Sequence, residues 1–205
     1  SYRNVWFGAQ NLGASRECVN DRDHGELQAV MPAKRQTKKA SSRKTRKKVS
    51  KWDVRFLRLA HEVSKWSKDR STRVGAVIVQ ADRTPGPYGY NGFPRHIDDE
   101  LEKRHKRPIK YDWTEHAERN AIYNAARIGM ALGGCIMYAT HLPCANCARA
   151  IIQVGISKVV VDEGSRSDSG FAKRWGREEK ITVEMLKEAG VELALVQVPV
   201  EDEDD

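Results

Sequence analysis

The sequence predicts an α/β protein with a three-layer α/β/α fold built on a five-stranded mixed sheet. From residue 51 onward, stretches of helical periodicity alternate with short apolar runs in the order helix, strand, strand, helix, strand, helix, strand, helix, strand. This alternation places helices on both faces of one sheet. The chain has 205 residues, which is enough for one such domain with tails at its ends.

A helix and a β-hairpin are predicted at the start of this domain. Apolar residues recur at spacings of four and three over residues 51–68, which predicts a helix with one face in the core. These residues are Trp52, Phe56, Leu59, Val63 and Trp66. Residues 74–79 form an apolar run typical of a buried strand, and residues 82–86 supply the turn to a second strand that ends near Tyr90.

The middle of the chain is predicted to contain two helices separated by a strand. Thr114 is a candidate cap for a helix over residues 116–128, and Gly129 ends this helix. The helix has a small apolar face made of Ala117, Ala121, Ala125 and Ile128. Residues 135–140 are typical of a buried strand, and a second helix is expected over residues 144–154.

The remaining elements complete the sheet. Residues 156–161 and 191–198 are predicted strands, and residues 178–189 are a predicted helix. Residues 164–177 are expected to form a polar loop that covers the pocket of the functional site. Its two aromatic residues, which are candidates for a lid, are Phe171 and Trp175.

Positive charge is concentrated at the N-terminus. The net charge of the chain is +8, but residues 1–51 alone carry 13 Lys and Arg against 4 acidic residues, which leaves residues 52–205 at −1. Residues 1–50 show no sustained periodicity and are predicted to be a disordered or loosely ordered basic leader, and residues 201–205 are an acidic tail. The basic run at residues 34–51 either attracts nucleic acid through phosphates or is a solvated tail without a specific partner.

The compartment is predicted from two further observations. No apolar stretch reaches the length of about eighteen residues that a membrane helix needs, so no membrane association is expected. Residues 1–30 lack the basic start and apolar segment of a signal peptide. The sequence therefore predicts a cytoplasmic protein in which cysteines serve as metal ligands.

One histidine and two cysteines form a candidate metal site, namely His116, Cys144 and Cys147. If a helix begins at Cys144, both cysteines lie on one face of its first turn. The other cysteines, Cys18 and Cys135, do not have a finger-like spacing to this pair. Three protein ligands and an open fourth position are typical of a catalytic zinc, so Zn²⁺ is the predicted cofactor.

Glu118 is the predicted catalytic residue. It lies two positions after His116, where it can transfer protons beside the metal without being needed as a ligand. The combination His-x-Glu followed by Pro-Cys-x-x-Cys is the signature of zinc nucleobase deaminases. A structural zinc knuckle is the alternative, but a knuckle would need a fourth ligand and has no use for the glutamate.

Four segments of the chain carry a resemblance to a known family. They are Val74-Gly75-Ala76-Val77-Ile78-Val79, Gly89-Tyr90-Asn91-Gly92-Phe93-Pro94-Arg95, His116-Ala117-Glu118-Arg119-Asn120-Ala121-Ile122 and Pro143-Cys144-Ala145-Asn146-Cys147. In these segments, residues 51–198 resemble the deoxycytidylate (dCMP) deaminases of the cytidine and deoxycytidylate deaminase superfamily. The resemblance implies a cytidine-deaminase-like fold and a zinc-dependent deaminase domain over residues 51–200.

The resemblance also implies a reaction and a set of substrate contacts. The expected reaction is the hydrolysis of dCMP to dUMP and ammonia, which feeds dTMP synthesis. The backbone around Ala117 and Pro143 is expected to face the pyrimidine, and Asn91 to contact base or sugar through its amide. A turn residue between two glycines is the other interpretation of Asn91.

The phosphate of a free nucleotide also needs a binding group, and a fixed cation suits it. Arg95 and Lys110 are the candidates, whereas Asn120 could serve a phosphate, a regulatory nucleotide or a subunit contact. The family resemblance implies a homo-oligomer regulated by dCTP and dTTP. Residues 71–73 stand where several family members carry cysteines of a second zinc site, so a second zinc is not expected.

Two other function classes remain possible at the level of sequence. A nucleic-acid-editing deaminase, acting on tRNA adenosine or polynucleotide cytidine, would use the basic arm to bind its substrate. The near-neutral domain argues against it, because an editor needs positive charge around its pocket. A catalytically silent nucleic-acid-binding protein is disfavoured by the intact Glu118.

Overall fold

A computed structural model describes residues 49–167 and 169–199 of the chain. Its strands are β1 (Gly75–Val79), β2 (Pro85–Tyr90), β3 (Ile136–Ala139), β4 (Lys158–Asp162) and β5 (Glu192–Val196). Its α-helices are α1 (Lys51–Ser64), α2 (Lys110–Trp113), α3 (Ala117–Ile128), α4 (Ala145–Gln153) and α5 (Ser169–Glu188), and short 3₁₀ helices span Glu102–His105 and Glu163–Ser167.

The five strands form one mixed sheet, as the sequence predicts, and their order in the sheet is β2-β1-β3-β4-β5. The strand β1 runs antiparallel to both β2 and β3, whereas β3, β4 and β5 are parallel. The predicted hairpin of β1 and β2 is confirmed. Because parallel strands need crossover connections, α4 and α5 link β3, β4 and β5 in turn.

The sheet is covered on both faces, which confirms the three layers. In β1, Ala76 and Ile78 pack on the side of α3, α4 and α5, and Val77 and Val79 pack on the side of α1. The strands β3 and β4 alternate in the same way. Central strands that are buried on both faces need apolar residues throughout, which explains the unbroken apolar runs in the sequence.

The core face of α1 differs from the predicted stripe. Leu59 and Trp66 are exposed, at 40% and 53%, and Leu57 and Ala60 are fully buried instead. The cause is the close approach of α1 to β1, since a Cβ added at Gly75 would lie 2.1 Å from the carbonyl oxygen of Ala60. Position 75 therefore has no room for a side chain. Trp66 is exposed because it lies beyond Ser64, the last residue of the helix.

The ends of α3 are partly as predicted. Gly129 ends the helix in the left-handed conformation with φ of 72°, which a glycine adopts without strain. The predicted cap at Thr114 is wrong, because His116 occupies the position before the first helical residue. Ile128 is also exposed, at 70%, and Ile122 takes its place in the core.

The predicted loop over residues 164–177 is wrong as well. This segment contains the 3₁₀ helix Glu163–Ser167 and the first half of α5, which begins at Ser169. The segment is rich in glycine and serine, which are typical of loops, so its local sequence does not predict the helix. The side chains of Phe171 and Trp175, like residues 1–48 and 200–205, lie outside the described residues.

The helix α3 closes the outer edge of the sheet. Asn120 and Asn124, one turn apart on α3, donate their side-chain amides to the carbonyl oxygens of Tyr90 and Tyr88 on β2, both at 2.8 Å. Unpaired carbonyl groups on an edge strand invite pairing with another strand. The two asparagines therefore satisfy the carbonyl groups that would otherwise be exposed at this edge.

No helix in the described part of the chain is long and apolar enough to cross a membrane.

Gly89 makes this arrangement possible. A Cβ at this position would lie 2.4 Å from the carbonyl oxygen of Ala117 and 2.4 Å from the backbone nitrogen of Ala121. Both atoms belong to the backbone of α3, so they cannot move aside without displacing the helix. Gly89 is needed for space and not for an unusual backbone angle.

We expect Gly89→Ala to lower the free energy of unfolding by about 1–3 kcal/mol, because the added methyl group overpacks the contact between β2 and α3. Urea unfolding measures the effect. Gly133→Ala is the matched control, since a Cβ there meets nothing within 4 Å. Equal unfolding midpoints for the two variants would contradict the proposed close contact.

Candidate active site

The predicted metal ligands come together at the N-termini of two helices. His116 immediately precedes α3, Cys144 immediately precedes α4, and Cys147 lies in the first turn of α4. The Nδ1 atom of His116 is 3.5 Å from the Sγ atom of Cys144 and 3.5 Å from that of Cys147. The two sulfur atoms are 3.7 Å apart.

These separations fit a tetrahedral zinc site. With Zn–S bonds of about 2.3 Å and Zn–N bonds of about 2.0–2.1 Å, a tetrahedron places its sulfur ligands about 3.8 Å apart and sulfur and nitrogen about 3.6 Å apart. The described residues contain no other group of histidine, cysteine or acidic side chains arranged to hold a metal. Three protein ligands leave one coordination position for water or substrate.

The protonation of the cluster depends on mutual hydrogen bonds. A hydrogen bond from Cys147 lowers the pKa of Cys144 to about 3 against the opposing effect of burial, and His116 adds to this lowering. The Cys144 sulfur in turn raises the pKa of His116 to about 9, again against burial, and it raises the pKa of Cys147. A divalent cation binds the deprotonated forms, so protons compete with metal for this cluster.

Glu118 lies in the first turn of α3 and is 3% exposed. Burial raises its pKa above the usual value for a glutamate, although the neighbouring His116 opposes the shift. A carboxyl group with a raised pKa can exchange a proton near neutral pH. The structure thus places a carboxyl group of raised pKa in the same pocket as His116 and Cys144.

Asn91 lines this pocket with a side chain that is already bonded to the protein. Its Oδ1 accepts a hydrogen bond from the backbone N–H of Val74 at 2.7 Å, and its Nδ2 donates to the carbonyl oxygen of Thr72 at 2.9 Å and to Asp69 at 3.3 Å. Asn91 therefore holds the segment before β1 against the pocket. Contact with substrate stays a prediction.

Lys110 also lines the pocket, and it is buried. Its Nζ atom donates to Asp69 at 2.7 Å and to the hydroxyl of Ser71 at 2.6 Å. Burial opposes the ionisation of Asp69, but hydrogen bonds from Lys110, Ser71 and Thr72 outweigh it and hold the pKa of Asp69 below its usual value. The positive charge of Lys110 is thus neutralised by the ionised carboxylate of Asp69.

Ala117 and Pro143, which are also expected to contact substrate, line the pocket as well.

Arg95 and Asn120 lie on a different surface from the predicted one. Both line a groove outside the metal pocket, together with Tyr88, Tyr90 and Asn124. Arg95 donates to Asn124 Oδ1 at 2.7 Å, and Asn120 closes the edge of β2. The structure does not bring these two residues to the metal ligands, because Asn120 projects from the side of α3 that faces β2.

Several pocket residues have little or no sequence signal that predicts them. Asp69 is the exception, because its Oδ1 accepts hydrogen bonds from the backbone of Ser71 and Thr72, a local pattern that an aspartate before such residues favours. The others follow only from the tertiary structure, since they come from a charged loop, from α2 and from α5. They include Arg107, Tyr111, Glu178 and Glu179.

Comparisons with known proteins support this site. Residues 50–163 match the model of the family described as the cytidine and deoxycytidylate deaminase zinc-binding region. The chain is 43% identical over 152 residues to an uncharacterized deaminase in the luxG 3′ region of Aliivibrio fischeri, covering 74% of this chain and 98% of that protein. It is 37% identical over 123 residues to deoxycytidylate deaminase from Mus musculus, covering 58% of this chain and 68% of that protein.

A solved structure shows the same fold. The dCMP deaminase from the cyanophage S-TIM5, in complex with dCMP and dUMP, superimposes with a TM-score of 0.55 at 25% sequence identity. The match covers 69% of this chain and 94% of that chain.

We expect Cys144→Ser and Cys147→Ser each to lower the zinc content of the purified protein by about one equivalent per chain, because two ligands do not hold the ion firmly. Atomic absorption after dialysis measures the metal. Cys135→Ala is the control, because Cys135 is buried outside the cluster. An unchanged zinc content in both serine variants would contradict the assignment.

Proposed function

Because the chain belongs to the cytidine and deoxycytidylate deaminase family, we propose that it is a zinc-dependent deaminase that hydrolyses dCMP to dUMP and ammonia. The observation that carries the proposal is the grouping of His116, Cys144 and Cys147, whose ligand atoms lie within 4.8 Å of one another, at a pocket that the buried Glu118 also lines. The deoxycytidylate deaminases among its relatives support dCMP as the substrate.

His116, Cys144 and Cys147 are the residues that would hold the zinc ion. Bound there, zinc supplies Lewis acidity and makes water a nucleophile near neutral pH. The chain itself supplies the three ligands and leaves one coordination position for water or substrate.

Glu118 carries the protons of the reaction. Its carboxylate accepts a proton from the attacking water as the oxygen bonds to C4 of the cytosine ring, and it passes this proton to N3 of the ring. It then moves the second proton to the amino group, so that the C4–N bond breaks and ammonia leaves. A raised pKa suits a group that must both accept and donate a proton.

The pyrimidine is expected to lie against the backbone at Ala117, the first residue of α3, and at Pro143, just before α4, since both residues line the pocket. Asn91 keeps residues 72 and 74, which also line the pocket, in place through its hydrogen bonds to them. A role in supplying dTMP synthesis, a homo-oligomer, regulation by dCTP and dTTP, and a cytoplasmic location stay predictions. So does the assignment of residues 51–200 as the domain that suffices for catalysis.

A comparison of substrates tests the proposed function. We expect the purified protein to release ammonia from dCMP faster than from deoxycytidine, dCTP, single-stranded DNA or tRNA, because the proposed substrate follows its deoxycytidylate deaminase relatives. Initial rates, measured with each substrate at the same concentration of its target cytosine or adenosine, give the order of substrate preference. A preference for single-stranded DNA or tRNA would instead support the editing deaminase.

Glu118→Ala should reduce turnover of dCMP by at least about a hundredfold, because removal of a general acid–base group costs about 10²–10⁴ in rate. Its zinc content should stay at the wild-type level, since Glu118 is not one of the three ligands. Steady-state kinetics and metal analysis on the same preparation check both points. Turnover near the wild-type rate would rule out the assigned role.

A further inference from the structure

A cluster of polar residues forms the wall of the pocket next to α2. The anchor cluster, as we call it, consists of Asp69, Ser71, Arg107, Lys110 and Tyr111. The Nε atom of Arg107 donates to the Tyr111 hydroxyl at 3.0 Å, and its guanidinium also donates to Ser71 Oγ at 3.3 Å. Ser71 Oγ also accepts from Lys110, so one hydroxyl connects the two cations.

Of the two cations in the anchor cluster, Lys110 is neutralised by a carboxylate and Arg107 is not. The Lys110 and Asp69 side chains, 9% and 11% exposed, form a close ion pair. Arg107 is exposed, and its hydrogen bonds within the cluster go to neutral hydroxyl groups. The cluster therefore carries one surplus positive charge, and that charge is on Arg107.

The remaining charges of the pocket make Arg107 important for an anionic ligand. Glu178 and Glu179 of α5 line the same pocket, as does Glu118. Without Arg107, the described lining of the pocket would keep Lys110 as its lysine or arginine, and Lys110 is already paired with Asp69. Such a lining would attract a phosphate dianion less.

We propose that Arg107 binds the 5′-phosphate of a nucleoside monophosphate and thereby makes the enzyme prefer the nucleotide to the nucleoside. The inference rests on the proposed function and adds the residue that selects the phosphate. An arginine has five N–H donors in a planar fork that matches phosphate oxygens, and the contacts with Tyr111 and Ser71 orient this fork while using two of them. Lys110 then has the separate role of fixing Asp69 and Ser71.

Binding of the reaction product tests the proposal without turnover. Calorimetry with dUMP and with deoxyuridine compares the wild type with Arg107→Gln, Arg107→Lys and Arg95→Gln. We expect Arg107→Gln to weaken dUMP binding by about 10- to 100-fold, the loss of a charge-assisted hydrogen-bonded contact, and to leave deoxyuridine binding unchanged. Arg107→Lys should recover part of the loss, because it keeps the charge but not the fork.

Arg95→Gln is the matched control, since Arg95 is also an exposed arginine bonded to a neutral side chain, but in the other groove. It should bind dUMP like the wild type. In kinetics, Arg107→Gln should raise KM for dCMP more than it lowers kcat, and it should leave the slower turnover of deoxycytidine unchanged.

Three results would overturn the proposal for Arg107. They are unchanged dUMP binding in Arg107→Gln, an equal loss of dUMP and deoxyuridine binding, and a loss in Arg95→Gln as large as in Arg107→Gln. Failure of the proposed function is a different result, because the wild type itself would then neither bind dUMP nor deaminate dCMP. That result would remove the basis for a phosphate contact as well.

Discussion

The close approach of α3 to β2 is the constraint on which the site depends. Gly89 lets the backbone of the helix lie where a side chain would otherwise be, and the two-way backbone bridge between Gly92 and Glu115 fixes the residues just before the helix. Because His116 and Glu118 lie in the first turn of α3 or immediately before it, their positions relative to β3 and α4 follow from this contact. The glycine-containing segment at residues 89–92 thus acts on the metal site through packing.

Two carboxylates in the same pocket have opposite environments. Glu118 is buried without a cation bonded to it, so its pKa rises and the group can carry a proton. Asp69 is also partly buried, but Lys110 and the backbone of Ser71 and Thr72 donate to it, so its pKa falls and it stays ionised. Pairs of titratable groups whose surroundings separate their pKa values are typical of sites that need one proton carrier and one fixed charge.

The asparagines of α3 show how an edge strand and a site share one helix. Asn120 and Asn124 use their amide groups for β2, whereas His116 and Glu118, at the beginning of the same helix, line the pocket. The sheet edge is therefore closed to strand addition at Tyr88 and Tyr90, and their exposed rings stand with Trp66 on the outer surface.

The sequence by itself determined the three-layer fold, the hairpin and the metal cluster, because local periodicity, glycines and ligand spacing act over a few residues. It identified most of the apolar residues of α1 and α3 that reach the core, but it did not identify Ala60 and Ile122, which are buried where Leu59 and Ile128 were expected. Nor did it separate Arg95 from Arg107, two exposed arginines in one charged stretch. Only the tertiary structure decided that Arg107 faces the pocket and that α5 supplies its acidic wall, because these contacts join segments that are distant in sequence and leave no local pattern.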